Sequence, residues 1–100
     1  MSARTLFLKQ VTRCGAYGLA PDVFMTDSQT GARYRAAGEG LAGIAGVLEQ
    51  WLQAQGIETG EAGADLETLR NVAAAAGWWV RPLYGRDGWI AAFEVERRAA

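Results

Sequence analysis

The sequence predicts an α+β fold: an antiparallel sheet built from hairpins, in the order β-β-β-α-α-β-β, with two helices packed on one face. Three observations lead there. Apolar positions alternate in the first third and the last quarter of the chain and switch to a helical period between Leu41 and Ala76. Turn signals separate consecutive strand-like runs, so strands follow one another in hairpins rather than alternating with helices. One hundred residues, half of them apolar, suffice for one core and one domain, residues 1–100, with no disulfide or metal to hold it.

The first strand is read over "RTLFLKQVTR", residues 4–13. Phe7 and Val11 have one parity and Leu6 and Leu8 the other, so this strand is expected to be buried on both faces at its start. "CGAYGLAPD", residues 14–22, has two glycines and a proline and reads as a loop. "DVFMTD", "SQTG" and "ARYRA" then read as a hairpin, with Ala32, Tyr34 and Ala36 facing one way and Arg33 and Arg35 the other.

Leu41, Ile44, Ala45, Leu48, Trp51 and Leu52 form a helical stripe, with Glu49, Gln50 and Gln53 opposite and Gly56 where a C-terminal cap belongs. An acidic, Gly-rich loop follows at 56–64. Asp65 is placed to cap a second helix, Glu67 suits its positive end, and Leu66, Leu69, Ala73 and Ala76 make a small-residue stripe ending at Gly77. Two strands, 78–85 and 89–97, flank "RDG" as a final hairpin.

A loop at Asp87–Gly88 in that hairpin pairs Arg86 with Trp89, Arg81 with Glu94 and Val80 with Val95. Trp78, Val80, Pro82 and Tyr84 then share the core face with Trp89, Ala91, Phe93 and Val95. The other face receives Trp79, Arg81 and Leu83 with Ile90, Ala92, Glu94 and Glu96. If Tyr17 and Leu19 do not lie over Trp79, the sheet presents an indole among charges, the pattern of an interaction hot spot.

Composition narrows the function. Histidine is absent, which removes Ser-His and Cys-His nucleophile pairs and histidine metal sites. The lone Cys14 has no cysteine to pair with and reads as a small hydrophobe in a reducing, cytoplasmic setting. Glu58, Glu61, Asp65 and Glu67 lack the ligand spacing of a calcium loop, so no metal and no cofactor is expected. "GEGLAG" gives Gly38, Gly40 and Gly43 the G-x-G-x-x-G spacing, but the strand before it is polar at alternate positions and no apolar strand follows the helix. A small enzyme or nucleotide binder using the Gly38–Gly43 turn is therefore the weakest alternative.

Nine arginines against one lysine is the bias of GC-rich codons, and points to a GC-rich bacterium or one of its phages. Net charge is −1, with bases Arg4, Lys9, Arg13, Arg33 and Arg35 concentrated before residue 36 and acids Glu39, Glu49, Glu58, Glu61, Asp65 and Glu67 after it. No apolar run is long enough to span a membrane.

The expected function is a non-enzymatic protein-binding module, a small adaptor or inhibitor of the kind a phage encodes to block a host nucleic-acid-handling or defence complex. Its expected contacts are Trp79, Arg81 and Leu83 on the sheet and Glu58 and Glu61 in the acidic loop, the latter suited to a basic surface on another protein. A homodimer through the sheet face is the simplest version. The alternative from another class is a sheet-face binder of single-stranded nucleic acid, with bases stacked on the aromatic side chains, although the clustered acids oppose phosphate.

Overall fold

The computed structural model describes residues 4–15, 18–60 and 63–98, with 13–15 and 19 described by their backbone alone. The elements are β1 (Arg4–Gly15), β2 (Gly18–Asp27), β3 (Arg33–Ala37), α1 (Gly40–Ala54), α2 (Leu66–Ala75), β4 (Trp78–Tyr84) and β5 (Ile90–Arg97). The strands form one sheet in the order β3-β2-β1-β5-β4, and each neighbouring pair is antiparallel. Both helices pack against one face: α1 lies over β3 and β2, α2 lies against β4, and the helices touch each other. The predicted fold class and element order are those observed.

The core lies between the sheet and the helices. Leu6, Val23, Met25, Phe93 and Val95 point inward from the strands and meet Ile44, Leu48, Trp51, Leu52 and Leu69 from the helices, all of them fully buried. Trp51 and Trp78 meet edge to face, with centroids 5.1 Å apart and planes at 83°, a favoured aromatic geometry. The predicted helix ends also hold. Asp65 accepts a hydrogen bond from the Thr68 backbone N–H at 2.8 Å, and Gly56 and Gly77 follow the two helices at positive φ.

Several expectations are corrected. Of the residues read as a loop at 14–22, 14–15 and 18–22 lie in strands, because β1 runs to Gly15 and β2 starts at Gly18, with Gly15 opposite Gly18; residues 16–17 lie outside the described residues. The glycines and Pro21 are accommodated because Thr12–Gly15 and Gly18–Pro21 pair only with each other, as a two-stranded arm beyond β5 and β3. The start of β1 is not buried on both faces: Leu6 is fully buried but Phe7 is 57% exposed, since no element among the described residues covers the sheet's second face there. Leu41 is 55% exposed in the first turn of α1, and Ala76 is exposed beyond the end of α2.

The last hairpin carries the largest correction. Its pairing follows the predicted register from Trp78 opposite Arg97 to Leu83 opposite Ala92, including Val80 with Val95 and Arg81 with Glu94. The next pair is Tyr84 with Ile90, so Ala91 is an extra residue on β5. The loop holds three residues, Arg86 to Gly88, between Gly85 and Trp89, whose N–H and C=O bond at 2.8 Å; Gly88 supplies the positive φ that such a loop needs.

An odd insertion exchanges the faces of everything beyond it. Ile90 enters the core at 7% exposure, while Trp89 is 52% exposed and Ala91 is exposed too, the reverse of the predicted assignment; Tyr84, predicted inward, keeps its strand parity but is 66% exposed where β4 ends. Truncating Ile90 should accordingly cost about 2–4 kcal/mol in Ile90→Ala, and Trp89→Ala should cost less despite its larger side chain. Urea unfolding of the two variants checks the order.

Candidate functional site

Inward parity on the strands fixes what faces outward. On the side of the sheet away from the helices, the register lines up Arg33 (β3), Thr26 (β2), Phe7 (β1), Ala92 (β5) and Leu83 (β4) in a single row across all five strands. An adjoining row runs Arg35, Phe24, Lys9, and on the other side Thr5, Glu94 and Arg81 are aligned, with Trp79 opposite Glu96 beyond them. Phe7, Ala92 and Leu83 thus make an apolar band over the centre and one edge of the sheet. Ala92 is buried beneath its neighbours, Leu83 is half-buried and Phe7 stands open.

Hairpin parity sends the two adjacent tryptophans apart. Trp78 goes inward against Trp51, and Trp79 goes outward at 51% exposure. Nothing among the described residues buries it; Tyr17 and the Leu19 side chain, read from the sequence as lids for it, lie outside the described residues, and the Leu19 backbone pairs with Cys14 in the arm at the far end of β1. The Arg98 guanidinium lies 3.5 Å from the Trp79 ring centroid and occupies one face of the indole. Arg81 is exposed and forms an ion pair with Glu94.

Next to the apolar band is a hollow of about 480 Å³ lined by Phe7, Leu8, Lys9, Val11, Phe24, Thr26 and Arg33. Arg35 closes one end, with its guanidinium 5.9 Å from the Phe24 centroid and 3.2 Å from the carboxylate of buried Asp22. Arg33 faces outward as the alternation of its hairpin predicts, whereas Phe7 was expected to be buried and neither Phe24 nor Lys9 was assigned to a surface. Strict alternation along β1 carried the signal, because Phe7, Lys9 and Val11 share a parity opposite to Leu6.

The expected contact residues fall into two groups. Trp79, Arg81 and Leu83 lie together along β4 on the open face. Glu58 is exposed in the loop between the helices, beside Thr59, Gly60, Ala64 and Thr68, and so belongs to the opposite layer; Glu61 lies outside the described residues. The structure does not bring the groups into one patch. Glu39, Glu49, Asp65 and Glu67 also belong to the helix layer. The acids that cluster in sequence after residue 36 thus stand, where described, in the helix layer, apart from Lys9, Arg33 and Arg35 on the sheet.

The glycine spacing at the start of α1 has a packing cause. A Cβ on Gly43 would stand 2.6 Å from Val23 Cγ2 and 2.9 Å from the Gly38 carbonyl oxygen, and one on Gly46 would stand 2.9 Å from Ala36 Cβ. These glycines let α1 lie close over β2 and β3. Glu39 is the N-cap residue of α1, so an acid stands next to the end where a phosphate would be wanted, although its side chain makes no capping hydrogen bond.

The polar group most deeply built into the fold lies under the helices. Asp27 is fully buried; Arg4 Nε donates to both its carboxylate oxygens at 2.9 Å, Trp51 Nε1 donates at 3.0 Å and the Gln29 N–H at 2.9 Å. Burial pulls its pKa upward, but the hydrogen bonds from Arg4, Trp51 and Gln29 outweigh that and hold it well below the ordinary carboxylate value. With both carboxylate oxygens engaged, the group acts as a clamp joining β1, β2 and α1.

No helix among the described residues is long and apolar enough to cross a membrane. Comparison with protein families, curated proteins and solved structures found no match to this chain.

Proposed function

We propose that this chain is a non-enzymatic protein-binding module, an adaptor or inhibitor that holds its partner on the open face of the sheet. The observation that carries the reading is the row Phe7–Ala92–Leu83, apolar and uncovered by the helices, edged by Arg33, Lys9, Arg81 and Trp79. A desolvated apolar centre with aromatic and arginine side chains around it is the anatomy of a protein interface. An open aromatic costs the free chain solvation that contact with a partner recovers.

Single-stranded nucleic acid is the second reading. It is favoured by the position of the helix-layer acids on the far side of the sheet, where they would not meet a phosphate on the open face. Against it, stacked bases need free ring faces, and guanidinium groups already lie over Phe24 and Trp79.

The test is partner capture from extract of the cells that encode the chain, with the intact chain as bait. Phe7→Ser and Trp79→Ala should each reduce recovery of a captured protein by about tenfold or more. Glu58→Gln combined with Glu61→Gln should leave it unchanged. Capture indifferent to both sheet-face substitutions would remove the reading.

A further inference from the structure

We infer that the hollow over Phe7, Val11 and Phe24 seats an acidic segment of the partner protein, with an aromatic or aliphatic side chain on the apolar floor and a carboxylate against each of Lys9 and Arg33. This rests on the reading of the open sheet face as a protein-binding surface and specifies what that surface takes.

The cations on and near this sheet differ in one respect. Arg4 is held by Asp27, Arg35 by Asp22 and Arg81 by Glu94, so each of these charges is answered within the chain. Lys9 and Arg33 both line the hollow, and neither has a carboxylate partner among the described residues. Two unanswered cations beside an apolar floor select an anionic ligand that is also hydrophobic.

Geometry sets the spacing of that ligand. Lys9 is on β1 and Arg33 on β3, two strands apart, and their rows are two residues apart along the strands. Strand spacing and rise then separate the two positions by about 12 Å. Two carboxylates on either side of one large apolar side chain can span that distance. A phosphate chain supplies the charge but asks for several ring faces in a row, and of Phe7, Phe24 and Trp79 on this face only Phe7 is open, since Phe24 is flanked by Arg35 and Trp79 by Arg98. Of the acids described on this face, Asp22 is held by Arg35 and Glu94 by Arg81, and Glu96 lies opposite Trp79 on the β4 side, away from the hollow.

The probe is a fluorescently labelled peptide of alternating Glu and Phe, compared by anisotropy at low salt with an all-Glu peptide, a Lys-Phe peptide of equal length and an oligo-dT strand. The Glu-Phe peptide is expected to bind the intact chain best of the four. Its affinity should fall about tenfold or more in the Lys9→Glu, Arg33→Glu double variant and stay unchanged in Arg86→Glu, a charge reversal in the β4–β5 loop. Denaturant unfolding of the double variant confirms that it is folded.

Three results overturn the proposal: no binding of the Glu-Phe peptide, equal binding by the double variant, or tighter binding of oligo-dT. A concentration-dependent dimer of the chain alone that the double variant abolishes also overturns it and makes a second copy the occupant. If Phe7→Ser and Trp79→Ala abolish partner capture while the double variant captures normally, the protein-binding reading stands and this inference alone fails.

Discussion

Asp27→Ala should destabilise the protein by about 3 kcal/mol or more and lower its melting temperature by about 10 °C or more. The size follows from what the substitution leaves behind. Arg4 keeps its charge with only 16% of its side chain exposed, its guanidinium 5.5 Å from the Trp51 centroid, and the Trp51 indole N–H loses its acceptor in a fully buried setting. An uncompensated buried cation and an orphaned donor cost far more than the pair contributes relative to an apolar replacement. Trp51→Phe removes the indole donor while keeping an aromatic ring, and should cost less. Thermal and urea unfolding of both variants measure the difference.

The same clamp sets an acid limit. Because the folded-state pKa of Asp27 lies below the ordinary value of 3.8, its contribution to stability is complete above that value and is lost as pH falls from there through the folded pKa. Between pH 5 and pH 8 this carboxylate contributes no pH dependence. Below about pH 4 the stability gap between the wild-type chain and Asp27→Asn should shrink steadily. A gap that stays constant down to pH 2.5 would show that the pair is not formed.

How much of this was legible in the sequence depends on what each signal encodes. Periodicity reports which side of an element is wet, so it gave the helices, the strand count and the outward position of Trp79 directly. It says nothing about an odd insertion, and the extra Ala91 therefore reversed Trp89 and Ile90 without any change in local pattern. The glycines at 15 and 18 and Pro21 read as a loop because their turn propensity is strong. In the fold they lie in a two-stranded arm where an unpaired backbone edge is tolerated.

Site residues were legible where one strand carried them together, as for Trp79, Arg81 and Leu83. Phe7, Phe24, Lys9 and Arg33 meet only through the β1–β2 and β2–β3 registers, which connect positions far apart in sequence. The Asp27 clamp was likewise hidden, since its partners stand 23 and 24 residues away. Glu58, which looked like part of a contact surface with the tryptophan, turned out to stand on the opposite layer, because the chain crosses from sheet to helices between Ala37 and Gly40.

Gly43→Ala should destabilise by about 2 kcal/mol, although alanine is favoured over glycine in a helix by about 1 kcal/mol. The new methyl group would meet two obstacles of different kinds. Val23 Cγ2, at 2.6 Å, belongs to a fully buried side chain, while the Gly38 carbonyl oxygen, at 2.9 Å, is backbone and is held by the Gly38 N–H bond to Pro21. Val23→Ala removes the first obstacle only, so the double variant should recover less than full stability. Gly46→Ala meets one atom, Ala36 Cβ at 2.9 Å on a half-buried strand, and should cost less than Gly43→Ala. The comparison also bears on function, since glycines kept for a phosphate would tolerate a methyl group in the absence of ligand. Unchanged or raised stability of Gly43→Ala in a melting experiment would show that the first turn of α1 can move off β2, and would return the Gly38–Gly43 spacing to consideration as a ligand loop.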